Sequence, residues 1–242
     1  MGSVEDALER LAEATAGLIM DAERLTNADA RQPSLLPGWS RGHVLTHLAR
    51  NAEGGVRLLG WARTGVPGYE YPSVAARAAA IEEGAGRPAA VLVADMRRAA
   101  DALADAAAQM PPAAWQNLVT WTTGQQTPAT MVVRSRLAEV LIHHVDLGVG
   151  FGPGRWPVTF VQDTLNVVVR VLNDRSLAPL TARLSATDTG RSFQLNGAAE
   201  HAGQISGTEA GLLAWLLGRS TGAGLARDNP GPLPPIPSIY FT

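Results

Sequence analysis

Apolar positions recur at helical spacing through the first 150 residues of this chain and shift toward shorter, strand-like runs after them. In residues 4–26, Leu8, Leu11, Thr15, Leu18, Ile19 and Leu25 fall three, four and seven apart, which predicts a helix with one buried face. Pro33 and Pro37 break that pattern. Ser40 then stands as the N-cap of a second helix over about 41–64, which ends near Gly65 and Pro67. A short helix is expected at 73–84. Pro88 fits the first turn of another helix that runs to about Met110, where Pro111 and Pro112 stop it. Residues 113–127 read as a long connection, and Pro128 opens the fourth long helix, which ends near Gly148. Four long helices with polar groups on inward faces predict a bundle.

After Phe151-Gly152-Pro153-Gly154 the texture changes. A helix over about Pro157 to Asn173 precedes strand-like pieces at Leu180–Ser185, Ser192–Leu195 and His201–Ser206. Thr187-Asp188-Thr189-Gly190 and Asn196-Gly197 supply turn signals between them. Thr208 caps a helix through Leu217, and the Pro-rich tail from Asn229 reads as irregular. The expected fold is therefore mostly α. A four-helix bundle occupies 1–150, and a smaller α+β domain with a short antiparallel sheet and helices occupies 151–242.

Composition narrows the chemistry. A net charge of -2 with 17% charged residues offers no electrostatic reason for nucleic acid or anionic lipid as a partner. No apolar run has the length of a membrane helix, and Met1-Gly2-Ser3-Val4-Glu5-Asp6 lacks the basic and apolar regions of a signal peptide, so a soluble cytoplasmic protein is expected. The chain has no Cys, hence no thiolate nucleophile and no sulfur ligand. It also has no Lys, which excludes Schiff-base catalysis. A soft nucleophile must arrive with a substrate or cosubstrate.

Glu139 and His143 sit four apart in Arg136-Leu137-Ala138-Glu139-Val140-Leu141-Ile142-His143-His144-Val145-Asp146, so they emerge on one helix face. A carboxylate and an imidazole on an otherwise apolar face are costly to bury unless something binds them. A histidine from Trp39-Ser40-Arg41-Gly42-His43-Val44-Leu45-Thr46-His47 would complete three ligands with an open fourth position, as in a catalytic zinc site. Both His47 and His43 are available there, and a His43–His47 pair is a competing ligand set. His144 points about 100° away from His143 along the helix. Asp146 lies where it can orient an imidazole. Trp39, Trp115 and Trp121 read first as packing residues of the bundle. Arg219 ends an apolar helix, where it either meets the last carbonyls or clamps a substrate carboxylate.

The run Leu36-Pro37-Gly38-Trp39-Ser40-Arg41-Gly42-His43-Val44-Leu45-Thr46-His47-Leu48-Ala49-Arg50-Asn51-Ala52 resembles the start of the second helix in mycothiol-dependent maleylpyruvate isomerases, of the DinB-like metal-binding four-helix-bundle superfamily. Glu139-Val-Leu-Ile-His143-His144-Val145-Asp146-Leu147 is similar to the second metal motif of that family. The resemblance implies a divalent metal, usually zinc, on His47, Glu139 and His143, and a functional role for Arg219 in the second domain. It also implies mycothiol as the thiol cosubstrate and a small-molecule carboxylate as substrate. The implied reaction is addition of a thiolate across a cis double bond, rotation about the resulting single bond, and elimination to the trans isomer. The same bundle would also suit a mycothiol S-transferase acting on another electrophile, or a non-catalytic, metal-stapled binding protein.

Overall fold

The computed structural model describes residues 3–197, 203–228 and 231–236, and the chain divides into two compact units between Gly150 and Phe151. The first unit holds α1 (Val4–Ala22), α2 (Asn27–Arg31), α3 (Arg41–Thr64), α4 (Val74–Ala85), α5 (Ala89–Ala108) and α6 (Thr130–Asp146), with a two-stranded hairpin, β1 (Leu118–Thr120) and β2 (Gln126–Pro128), before α6. The long helices α1, α3, α5 and α6 form the bundle, with α3 packed against α4, α5 and α6. Its core is aliphatic: Leu18 from α1, Leu45, Leu48, Leu58 and Leu59 from α3, Leu92 and Met96 from α5, and Val140 and Leu141 from α6 are buried. Full burial of each large side chain contributes on the order of 1.5–3 kcal/mol.

Local chemistry explains where the elements begin and where they differ from expectation. Ser3 caps α1 in a reciprocal box with Asp6, but α1 stops at Ala22, short of 26, because Thr26 and Asp29 form a second capping box that opens α2. The connection at 113–127 is less irregular than its sequence suggests. A 3₁₀ turn over Pro112–Gln116 leads into the hairpin, and three-residue strands are too short to display an alternating pattern. Pro128 closes β2 rather than opening α6, whose first residue is Thr130.

The second unit contains α7 (Val158–Asp174), β3 (Ala182–Ala186), β4 (Ser192–Leu195), β5 (Gln204–Gly207), α8 (Glu209–Leu216) and β6 (Ala226–Arg227). β3 and β4 make the expected antiparallel pair. β5 adds to the other side of β3 in parallel and β6 runs antiparallel to β5, so the sheet order is β4-β3-β5-β6 and the sheet is mixed. The strand expected from His201 is seen from Gln204, and His201 and Ala202 lie outside the described residues, as do Asn229, Pro230 and 237–242 of the tail. Apolar residues of α7 and α8, Leu165, Val168, Leu172, Leu212 and Trp215, form the core of this unit with Leu184 and Ile205. No helix among the described residues is long and apolar enough to cross a membrane.

Candidate metal centre

α3 and α6 meet under several constraints that set the site. Arg136, buried one turn before Glu139, donates Nη1 to the Leu48 carbonyl and to Asn51 Oδ1, both at 2.8 Å, and so ties α6 to α3 beside His47. At the other end, Arg41 donates Nε to the Leu147 carbonyl at 2.7 Å and the Leu35 amide donates to the Asp146 carbonyl at 2.8 Å. α4 approaches α3 closely at Gly42, where any Cβ would lie 2.2 Å from the Ala85 carbonyl oxygen.

These contacts bring His47 of α3 against Glu139 and His143 of α6. One ligand atom from each lies within 4.8 Å of the other two, the arrangement a single metal ion requires. His47 Nε2 is 2.7 Å and His143 Nε2 3.2 Å from Glu139 Oε2. The two imidazoles meet edge to face with centroids 4.6 Å apart. His47 and His143 are 1% and 0% exposed, whereas Glu139 keeps 15%, so the cluster opens to solvent on the carboxylate side. Asp146 Oδ2 sits 2.8 Å from His143 Nδ1, which directs the Nε2 lone pair toward the cluster, the usual outer support of a metal-bound histidine.

The electrostatics are those of an ionised carboxylate between two imidazoles of opposite tendency. Burial draws the His47 pKa down to about 4, and the neighbouring charge of His143 adds to the effect against the bond that His47 makes to Glu139. At His143 burial opposes protonation, but the bonds to Asp146 and Glu139 outweigh it and the pKa rises. Burial would raise Glu139, yet hydrogen bonds from His143 and His47 hold it well below the ordinary carboxylate value. Two nitrogen donors, one oxygen donor and no sulfur suit a borderline divalent cation, and three protein donors leave one position for an exogenous ligand.

The remaining candidates fall into distinct places. His43 does not join the cluster: its Nδ1 takes part in the N-cap of α3 with Ser40, and its Nε2 lies 3.1 Å from Glu82. His144 is buried with Nε2 3.0 Å from Asp21 of α1. Trp39, read from the sequence as packing, stands instead at the cluster, its ring centroid 5.6 Å from His47 and 6.5 Å from His143. Trp115 is buried in the first unit, and Trp121 donates Nε1 to Thr127 in the hairpin. Arg219 belongs to the second unit, where its Nη1 donates to the Leu217 carbonyl at the end of α8.

Three polar residues near the cluster, Glu70, Tyr71 and Arg77, were not singled out from the sequence. Arg77 of α4 reaches His47 Nδ1 at 3.2 Å and lies over the Tyr71 ring. Glu70, next to Tyr71 in the α3–α4 loop, is within electrostatic reach of both Arg77 and Glu139. A loop has no period to mark its functional positions, and the only local hint is an acid set between two tyrosines in Tyr69-Glu70-Tyr71.

A family model described as the mycothiol maleylpyruvate isomerase N-terminal domain matches residues 11–148. Among solved structures, the chain is similar to the crystal structure of the mycothiol-dependent maleylpyruvate isomerase, with 25% identity, coverage of 98% of this chain and 97% of that one, and a TM-score of 0.91. A crystal structure of a mutant of that isomerase matches with 24% identity over the same shares and the same TM-score. No curated protein matches the chain.

Proposed function

The chain belongs to the mycothiol maleylpyruvate isomerase N-terminal domain family, and from that premise we propose that it is a metal- and mycothiol-dependent isomerase. Its substrate is maleylpyruvate or a close analogue, and its product the fumaryl isomer. The observation that carries this reading is the convergence of His47, Glu139 and His143, with Asp146 behind His143.

In this proposal His47, Glu139 and His143 hold one divalent ion, zinc being the best match to two imidazoles and a carboxylate. When bound, the ion supplies the positive charge that keeps a thiol ionised near neutral pH. Asp146 fixes the ring of His143, and Trp39 covers the imidazoles with an apolar face that limits water. A double bond conjugated to carbonyls does not rotate freely, whereas the single bond left by thiolate addition does, and elimination then returns the trans isomer. The chain contributes no thiol of its own, because it has no Cys. We assign to Arg219 the binding of a substrate or cosubstrate carboxylate, for which its planar fork is suited.

The test is an assay of metal-analysed protein with mycothiol and maleylpyruvate. A trans product with total mycothiol conserved supports the isomerase. Loss of one thiol per electrophile consumed would make it an S-transferase, and turnover undiminished after exhaustive removal of small thiols would rule out the mechanism altogether.

A further inference from the structure

Glu70 is an acid that the metal cluster leaves unused, yet several elements hold it in place. Arg57 of α3 donates to the carbonyls of Tyr69 and Glu70 and so pins the loop. The Glu70 side chain lies against α3 at Gly54, where a Cβ would come within 2.7 Å of its Cγ. Thr122, from the turn between β1 and β2, donates Oγ1 to Glu70 Oε2 at 3.2 Å. The residue is partly buried, and among the described residues its carboxylate forms no ion pair at contact distance. A carboxylate partly withdrawn from water and offered a neutral hydroxyl in place of a cation is held at a cost in stability, which marks a candidate for chemistry.

Of the charged groups around it, Glu139 is a member of the cluster and Arg77 reaches the cluster residue His47. Burial raises its pKa, the bonds from Thr122 and the charge of Arg77 oppose the rise, and the charge of Glu139 adds to it. Those groups come from α6 (Glu139), α4 (Arg77) and the hairpin (Thr122), with Arg57 of α3 on the backbone side and Tyr71 adjacent in the loop. Arg77 links the acid to the cluster through His47.

Ionising a thiol requires somewhere for its proton to go. The three cluster residues are committed as ligands, and the chain has neither Cys nor Lys. We propose that Glu70 accepts the proton of the thiol and returns it, a role that rests on the thiol-dependent isomerase reading above. The S–H bond breaks and the proton passes to the Glu70 carboxylate. The thiolate pair forms a C–S bond, while the double-bond pair moves into the conjugated carbonyl as an enolate. After rotation the enolate pair restores the double bond, the C–S bond breaks, and the departing thiolate recovers the proton from Glu70. No outside oxidant or acid is consumed. A carboxylate that burial makes a stronger proton acceptor than an ordinary one suits the forward step, and its protonated form can return the proton in the reverse step.

The experiment is calorimetric titration of metal-loaded wild type and Glu70→Gln with mycothiol alone, in two buffers of different ionisation enthalpy near neutral pH. Wild type should release fewer protons to the buffer per thiol bound than Glu70→Gln, because Glu70 takes up part of them, while Glu70→Gln should release about one. In turnover, Glu70→Gln should lose about 10²-fold or more in kcat/KM together with the acidic limb of the pH profile. Its metal content should match wild type and its melting temperature should be no lower, since the buried charge is gone, and Glu70→Asp should restore the limb. Equal proton release by wild type and Glu70→Gln, or an unaltered acidic limb, would overturn the proposal and leave Glu70 a loop anchor. Proton retention by a wild type that binds mycothiol but does not isomerise maleylpyruvate would sink the isomerase reading while the proton acceptor stands. Failure of mycothiol to bind would remove both.

Discussion

Asp95 on α5 and Glu139 on α6 are two acids largely withdrawn from water within the same bundle. Asp95, 3% exposed, faces Arg50 and Arg87 at 2.8 Å each and Arg98 one turn along its own helix. Glu139 faces two imidazoles. Burial pushes both carboxyls upward, and the partners bring both below the ordinary value, the Arg87 bond leading at Asp95 and the His143 bond at Glu139. The direction of the shift therefore does not separate them. The identity of the partners does. Guanidinium groups stay charged at any accessible pH, so Asp95 is fully compensated and asks for nothing further. Imidazoles give up protons readily and then present lone pairs, so the Glu139 cluster can exchange protons for a cation.

Breaking the metal side of this contrast should have the largest effect. His143→Ala should lose most of its bound metal by elemental analysis. Its kcat/KM should fall by more than about 10², because disturbing even an outer partner of a ligand costs 10–100-fold. The bundle should still fold, and full metal occupancy in this variant would sink the ligand assignment.

Breaking the arginine side should cost stability rather than metal. Asp95→Ala takes the buried acid from Arg87, while Arg50 and Arg98 keep Glu53 within 4.0 Å, and should lower the unfolding free energy by about 2 kcal/mol, the scale of a hydrogen bond to a charged group. The loss is no larger because Arg50, Arg87 and Arg98 keep 25%, 34% and 71% of their side chains exposed, so water solvates the charges left behind. Metal content should not change. An unaltered denaturation midpoint would show that the arginines are equally well solvated without Asp95.

Arg219→Ala should reduce kcat/KM by about 10- to 100-fold with metal intact, the loss of one or two charge-assisted bonds. Normal turnover would overturn the carboxylate-binding role assigned to Arg219. Asp146→Asn keeps the shape beside His143 but weakens its support, and should loosen the metal by about 10- to 100-fold in a chelator competition.

The smallest effect sharpens the comparison through pH. The Asp95 pKa is lower in the folded chain than its ordinary 3.8, so the folded state holds fewer protons than the unfolded one in that range. The stabilisation is complete above that value and disappears as pH falls through the folded pKa. In Asp95→Asn, stability measured over the same acid range should slope less steeply than in wild type.

The helices α3, α5 and α7 were legible in the chain because a buried face repeats with the turn of the helix and Ser40, Pro88 or Pro157 marks where it starts; α6 was legible from its repeat alone, since Pro128 belongs to β2. The hairpin before α6 was not, since strands of three residues carry too little pattern, and neither was the parallel pairing of β5 with β3. Parallel neighbours are chosen by how the chain crosses over, which no local run of residues records.

The sequence by itself placed Glu139 and His143 on one helix face, denied the chain any thiol or amine nucleophile, and offered both His43 and His47 as the third ligand. Only the tertiary structure chose between those two. One helical turn separates them, and both belong to the same apolar stretch, but Ser40 engages His43 at the helix cap while the packing of α6 on α3 sets His47 against Glu139. It also decided that Trp39 stands by the imidazoles and that Glu70 and Arg77 lie near them. Periodicity records which face of a helix is buried, because that depends on neighbours one turn away. Which helix and which loop lie opposite depends on many weak contacts between residues far apart in the chain, and those contacts exist only once the bundle has closed.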